Sequence, residues 1–293
     1  MTKNPVILVT GSNGQLGSEL RELAPSFPQY KFVFFSRSEL AIENGEEVER
    51  AFALLHPQYV INCAAYTAVD KAEAEQDQAM AVNATAVGML AKASKKYSAK
   101  FVHVSTDYVF DGTSREPLRE DAPVAPVNFY GATKLKGEEE AQKENTESII
   151  IRTSWVYSFY GKNFVKTMLR LMAEKESVGV VADQWGSPTY AADLAEAILH
   201  IIESRNWQPG IYHYSNEGVI TWAQLADEIR KLSGSACNVQ RITTEQYPTP
   251  AKRPAYSVMD KSKIVSVYGI VLKPWQESLQ ACLQKLKTAA SHN

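Results

Sequence analysis

Short apolar, β-branched runs recur along the first half of the chain and alternate with amphipathic stretches. Val6–Thr10, Lys31–Phe35, Tyr59–Asn62, Phe101–Ser105 and Ser148–Thr153 read as buried strands. Gln15–Leu23, Glu46–Leu55 and roughly 71–97 read as helices between them, and the good helix formers Leu135–Gln142 extend another that starts near Tyr130. Strand–helix alternation through residue 153 predicts an α/β fold with a Rossmann-like, doubly wound parallel sheet. After that the pieces are less regular. Helices are expected at 164–174, 191–204, 221–232 (Thr221 as N-cap) and 275–287, with strands at 178–181 and 210–214. The expected layout is a nucleotide-binding domain over 1–153, completed by segments within about 178–215. A smaller, interleaved lobe over 154–293 binds substrate.

The first strand runs directly into Gly11-Ser-Asn-Gly14-Gln-Leu-Gly17 and then a helix. A dinucleotide site requires this context: one glycine for the tight turn, one for close approach of the pyrophosphate, one for helix–strand packing. The spacing is Gly-x-x-Gly-x-x-Gly rather than the commoner Gly-x-Gly-x-x-Gly. The second strand ends in Ser36-Arg37-Ser38 instead of an acid. Hydroxyls and a cation suit a 2′-phosphate, so NADPH is favoured over NADH. Cys63-Ala64-Ala65 brings small side chains to the end of the third strand, where cofactor and substrate meet, and Tyr66 to Asp70 continue into that crevice. Asn83, in a small apolar run, is expected to bridge neighbouring backbone.

Tyr130 and Lys134, four apart, share one helix face. A nearby ammonium favours phenolate, so Lys134 is expected to lower the Tyr130 pKa and let the tyrosine exchange a proton with a carbonyl as hydride moves. Thr106, just past the fourth strand, is placed to donate a second hydrogen bond to that carbonyl. His103 inside the strand reads as a satisfied core histidine.

Composition narrows the classes. Net charge is −2 with no long basic run, which argues against nucleic-acid binding. No apolar run approaches the roughly 20 residues of a membrane span, and residues 1–10 lack a signal-peptide pattern. Three scattered cysteines form neither a disulfide framework nor a Cys-x-x-Cys site. The cytoplasm is the expected location.

The glycine turn, Thr106 and Tyr130-x-x-x-Lys134 together resemble the extended short-chain dehydrogenase/reductases. Within them, several stretches resemble the dTDP-4-dehydrorhamnose reductase family: Cys63-Ala-Ala-Tyr-Thr-Ala-Val-Asp70-Lys71-Ala-Glu73, Ser105-Thr-Asp-Tyr-Val-Phe110, Asn128-Phe-Tyr130-Gly, Arg152-Thr-Ser-Trp155-Val-Tyr157, Asn163-Phe164 and Asp183-Gln-Trp-Gly186-Ser-Pro188-Thr189. The likeness weakens after about residue 235. It implies reduction of the 4-keto group of dTDP-4-dehydro-β-L-rhamnose by NADPH or NADH.

In that reading Thr106, Tyr130 and Lys134 are catalytic. Cofactor is held by Gly11, Ser12, Asn13, Gly14, Gln15, Leu16, Gly17, Ser36, Arg37, Ile42, Cys63, Ala64, Ala65, Tyr66, Asn83, Tyr130 and Lys134. Substrate is held by Val69, Asp70, Thr106, Tyr108 and Trp155, with Arg253 meeting the diphosphate. Ala41 departs from the acid the family commonly places there. Some members bind Mg²⁺ at a dimer interface, for which Glu19 and Asp193 are the candidates; otherwise both are expected to be surface helix residues. A homodimer follows from the same resemblance. Rival readings are another nucleotide-sugar 4-keto reductase or epimerase, and a cofactor-binding regulatory subunit like the eukaryotic relative that serves methionine adenosyltransferase.

Overall fold

A computed structural model describes residues 4–290. Six parallel strands form the central sheet. In chain order the first half reads β1 (Val6–Thr10), α1 (Gln15–Leu23), β2 (Lys31–Phe35), α2 (Gly45–Leu55), β3 (Tyr59–Asn62), α3 (Val69–Ala72), α4 (Gln76–Met80), α5 (Ala86–Lys96), β4 (Lys100–Thr106), α6 (Phe129–Glu144) and β5 (Ile149–Thr153). There follow β6 (Val156–Tyr157), α7 (Phe164–Glu174), β7 (Ser177–Val181), β8 (Trp185–Gly186), β9 (Thr189–Tyr190), α8 (Ala191–Glu203) and β10 (Gly210–Tyr214). The last elements are β11 (Ile220–Thr221), α9 (Trp222–Ser233), β12 (Asn238–Ile242), α10 (Ser262–Tyr268) and α11 (Trp275–Ala290). The sheet order is β10-β5-β4-β3-β1-β2, so the direction in which strands are added reverses between β1 and β3 and opens a crevice at their carboxyl ends.

Two apolar layers sandwich the sheet. One packs α1, α8 and α10 (Leu16, Leu20, Leu194, Ile198, Ile264) on Ile7, Val9, Val102, Ile149 and Tyr212. The other packs α2 and α5 (Val48, Phe52, Val87, Leu90) on Leu8, Val60, Phe101 and Ile150. Strands buried on both faces must be apolar throughout, which is why these runs do not alternate. A third core belongs to the smaller lobe, where α7, α9 and α11 close over the β7–β12 pair. Thr221 caps α9 in a capping box with Gln224, and Gly234 (φ +71°) ends it.

The helix expected over 71–97 is broken. Between α4 and α5 the backbone widens to a π-turn at Ala81–Thr85. The cause lies on α6. A Cβ at Gly137 would sit 2.0 Å from the Asn83 carbonyl, so α6 presses on the turn where it has no side chain. The widening aims the Asn83 side chain at the Tyr66 backbone, accepting from its N–H (2.8 Å) and donating to its carbonyl (3.0 Å). The expected bridge is there, and it extends to the Thr133 hydroxyl on α6. Other differences are small: β12 and α10 had no clear sequence signal, and 183–189 carries two short strands within its turns.

Candidate active site

The crevice holds a cleft of about 640 Å³. Its floor is the glycine turn. Gly11 has φ +66°, and a Cβ there would lie 2.6 Å from the Ala64 backbone, so only glycine lets the turn meet the end of β3. A Cβ at Gly17 would lie 2.4 Å from the Gly11 carbonyl, which is how α1 packs against the turn. Gly14 is the N-cap of α1, so the helix presents its free N–H groups at the cleft. Ser12 is buried beneath the turn, and its hydroxyl has no hydrogen-bond partner among the described residues. Such a cradle fits a dinucleotide diphosphate.

Of the expected cofactor residues, the cleft gathers Gly11, Asn13, Gly14, Gln15, Leu16, Ser36, Arg37, Ile42, Cys63, Ala64, Ala65, Tyr66, Tyr130 and Lys134. Ser12, Gly17 and Asn83 do not line it; they shape the turn and brace Tyr66. Sequence reasoning missed Glu43, Thr153, Lys162 and Leu194, which also line it. The last three come from segments with no dinucleotide motif. At the β2 end the donors expected for a 2′-phosphate are already engaged. Glu39 accepts both the Ser36 N–H (2.8 Å) and hydroxyl (2.6 Å), and Arg37 pairs with Glu43 at 3.1 Å.

Helix α6 brings the proton chemistry to the other end. Asn128 caps it by accepting the Gly131 N–H at 2.7 Å, while Glu73 accepts the Phe129 N–H at 2.9 Å. A Cβ at Gly131 would meet the Tyr108 carbonyl at 2.2 Å, so α6 lies directly on the turn after β4. That contact sets the Tyr108 and Tyr130 rings edge to face at 5.8 Å. Thr106, the last residue of β4, lies beside the Tyr130 hydroxyl. Its own hydroxyl donates to Asp107 Oδ1 (3.0 Å) and accepts the Tyr108 N–H (3.2 Å).

The electrostatics correct one expectation. Burial pushes the Tyr130 phenol up from its ordinary value; Thr106 opposes the shift and Asp107 adds to it. Lys134 does not figure. Its ammonium is buried, donates to the Val104 carbonyl at 2.7 Å and reaches His103 Nε2 at 3.4 Å. Burial lowers its own pKa to about 8. The protein thus keeps Tyr130 as a protonated phenol, the form that can give a proton.

Of the expected substrate residues, Tyr108 lies against Tyr130 and within electrostatic reach of Asp70 and Arg253. Asp70 holds Arg253 through two contacts of 2.5 and 2.8 Å, and Arg253 also donates to the Ala251 carbonyl. The guanidinium expected to meet a diphosphate therefore ties the proline-rich loop to α3, which begins at Val69. Trp155 stands at φ +49°, a left-handed conformation that is costly for a bulky residue. Its ring stacks on Trp222 at 3.7 Å, and a Cβ at Gly186 would come within 2.7 Å of it. Trp222, whose partner lies far away in sequence, could not be found from the motif.

Glu19 and Asp193 are not surface residues; they are 2% and 5% exposed. Helices α1 and α8 meet the small lobe here, and its lysines reach both acids. Glu19 accepts from Ser158 (2.5 Å) and Lys285 (3.4 Å). Asp193 accepts from Lys273 (2.8 Å), Asn216 (2.7 Å) and Ser278 (2.5 Å). Carboxylates already answered by ammonium groups are poor cation ligands, so these residues do not fit Mg²⁺. Among the described residues, no group of three His, Cys, Asp or Glu side chains could hold a metal. No described helix is long and apolar enough to cross a membrane.

The same architecture occurs in known proteins. The chain is 41% identical to the spore coat polysaccharide biosynthesis protein SpsK of Bacillus subtilis, over 99% of both chains. It is 40% identical to dTDP-4-dehydrorhamnose reductase of Burkholderia thailandensis, covering 96% of this chain and 98% of the other. The crystal structure of dTDP-4-dehydrorhamnose reductase from Bacillus anthracis in complex with NADP superposes with a TM-score of 0.92 at 40% identity, covering 96% and 99% of the two chains. The sequence model of the RmlD substrate binding domain matches residues 5–288, and with these likenesses in sequence and structure the chain belongs to that family.

Proposed function

We infer that this chain is an NAD(P)H-dependent oxidoreductase that reduces the 4-keto group of dTDP-4-dehydro-β-L-rhamnose, yielding dTDP-L-rhamnose. The observation that carries the reading is the convergence of Tyr130 and Lys134 on one cleft with the glycine turn, with Thr106 beside the Tyr130 hydroxyl. The relatives named as this reductase and the NADP-bound structure supply the substrate and cofactor class.

The nicotinamide, when bound, supplies the hydride. The residues do the rest. Tyr130, held protonated by its buried setting, gives its phenolic proton to the C4 oxygen as carbon is reduced. Thr106, whose one hydroxyl proton goes to Asp107 Oδ1 without substrate, turns it to the same oxygen when the ketone binds and fixes the ketone beside Tyr130. Lys134, anchored on the Val104 carbonyl, would hold the nicotinamide ribose. Asp70, Tyr108 and Trp155 shape the sugar pocket, with Arg253 as the brace of its rim. Glu39 and Glu43 hold down the preference of Ser36 and Arg37 for a 2′-phosphate, so the chain uses both NADPH and NADH.

The test is NADPH oxidation with enzymatically generated dTDP-4-dehydrorhamnose, with the product identified by chromatography. Tyr130→Phe should lose all but about a hundredth of the rate while binding cofactor normally, because only the proton donor is gone. A wild-type protein that binds NADPH but leaves this sugar untouched would overturn the assignment.

A further inference from the structure

A line of buried polar groups, unused by the chemistry above, ends on Lys134. Thr10, at the end of β1, donates its hydroxyl to Asn62 Oδ1 at 2.6 Å. The same oxygen accepts the Ala64 N–H at 3.2 Å. A backbone N–H can only donate, so this contact fixes the carboxamide and turns Asn62 Nδ2 toward His103 Nδ1, 3.0 Å away. Nδ2 also can only donate, so Nδ1 accepts. His103 is fully buried, and burial holds it neutral. In a neutral ring whose Nδ1 accepts, the proton sits on Nε2. That N–H points at Lys134 Nζ, 3.4 Å away.

Two facing donors are unfavourable; an N–H facing an amine lone pair is favourable. We propose that His103 is a positioning residue for the reduction: oriented by Thr10 and Asn62, its Nε2–H holds Lys134 as an amino group able to release its proton, not as a permanent cation. The other neighbours act in the opposite sense or not at all. Glu138, one turn along α6, and Cys63, at the end of β3, favour the ammonium. Glu138 is itself bound by Arg152 of β5. Glu73 is engaged at the start of α6, and Arg37, Glu43 and Lys162 stand elsewhere along the cleft. His103 is thus the neighbour whose hydrogen bonding can tip the lysine toward the amine. Lys134 would then act as a pH-set clamp, strong when protonated and weak above its pKa.

The inference rests on the reductase reading of Lys134, and its first test does not use activity. Ring-nitrogen NMR of wild-type His103 near neutral pH should show a bare Nδ1 and a protonated Nε2; a proton on Nδ1 would overturn the proposal. The second test follows Lys134 in wild type and His103→Gln, by carbon NMR of its ε-methylene and by the alkaline limb of kcat/KM for the keto sugar. Gln can turn its carbonyl oxygen to Nζ, so both midpoints should move up by about one pH unit or more. Asn62→Asp, whose carboxylate would draw the imidazole proton to Nδ1, should move them the same way. Unmoved midpoints with a uniformly lower kcat would mean that His103 only fills space. A wild type that never reduces the sugar would sink the reductase reading, while the two NMR measurements would still decide this one.

Discussion

Asp107 is buried beside the site at a cost, and that cost has a pH signature. Its carboxyl is buried; Oδ1 accepts from Thr106, Ser257 also bears on the carboxyl, and Oδ2 has no close hydrogen-bond donor among the described residues. Burial raises its pKa from 3.8 to about 6, a shift that the Ser257 and Thr106 hydroxyls reduce without cancelling. Between those values the folded protein binds more protons than the unfolded chain, so this group's contribution to stability falls as pH rises through the window and stays lost above it. A shift of about two units is about 3 kcal/mol. Asp107→Asn removes the ionisation and keeps an acceptor for Thr106. The stability difference, variant minus wild type, should therefore grow by about 2.5 kcal/mol between about pH 4 and pH 7.5. Urea unfolding of both proteins across that range measures it, and because every other group is shared, only Asp107 contributes to the change. A flat difference would refute the argument and mean that water or an unnoticed donor solvates Oδ2.

Gly186→Ala forces a methyl against the Trp155 ring, which also stacks on Trp222. We expect a loss of about 1–3 kcal/mol in unfolding and a raised KM for the sugar nucleotide with unchanged NADPH affinity; an unchanged KM would remove Trp155 from the sugar pocket. The double variant Glu39→Gln, Glu43→Gln frees Arg37 and weakens the hold on Ser36, so calorimetry should show NADPH gaining on NADH by about tenfold. Equal changes for the two cofactors would mean that these acids do not bear on the 2′-phosphate.

The parallel sheet and the glycine turn were legible in the sequence because their signals are local. A doubly buried strand is a short apolar run wherever it occurs, and Gly11 must be glycine for the turn it sits in. The Tyr130–Lys134 face was legible for the same reason. What failed depends on distant partners. The π-turn at Ala81–Thr85 is pressed into shape by Gly137, on a helix the local pattern cannot see. Asn238–Ile242 has little apolar character and becomes a strand only because β7 pairs with it. Glu19 and Asp193 look like ordinary helix acids until Lys285 and Lys273 arrive from the end of the chain. The spacing of Tyr130 and Lys134 said which face they share, but not that the Val104 carbonyl would take the ammonium. Arg253 was a fair guess for an anion site by charge alone, and Asp70, remote in sequence, answers it.

The position of β10 at the sheet edge has a consequence for how the chain is made. Strand β5 pairs with β4 on one side and with β10 on the other. On a ribosome, β5 emerges while β10 is still more than fifty residues away. At about 5–20 residues per second, an apolar Ile-Ile-Ile edge stands open for roughly three to eleven seconds. An open hydrophobic edge invites pairing with another nascent chain. Arg152 is the only charge on that strand, and its partner Glu138 has already been synthesised. A buried ion pair of little net worth in the finished fold then holds β5 to α6 in the right register while the edge waits. A fragment ending near residue 153 would keep that edge open permanently and should aggregate.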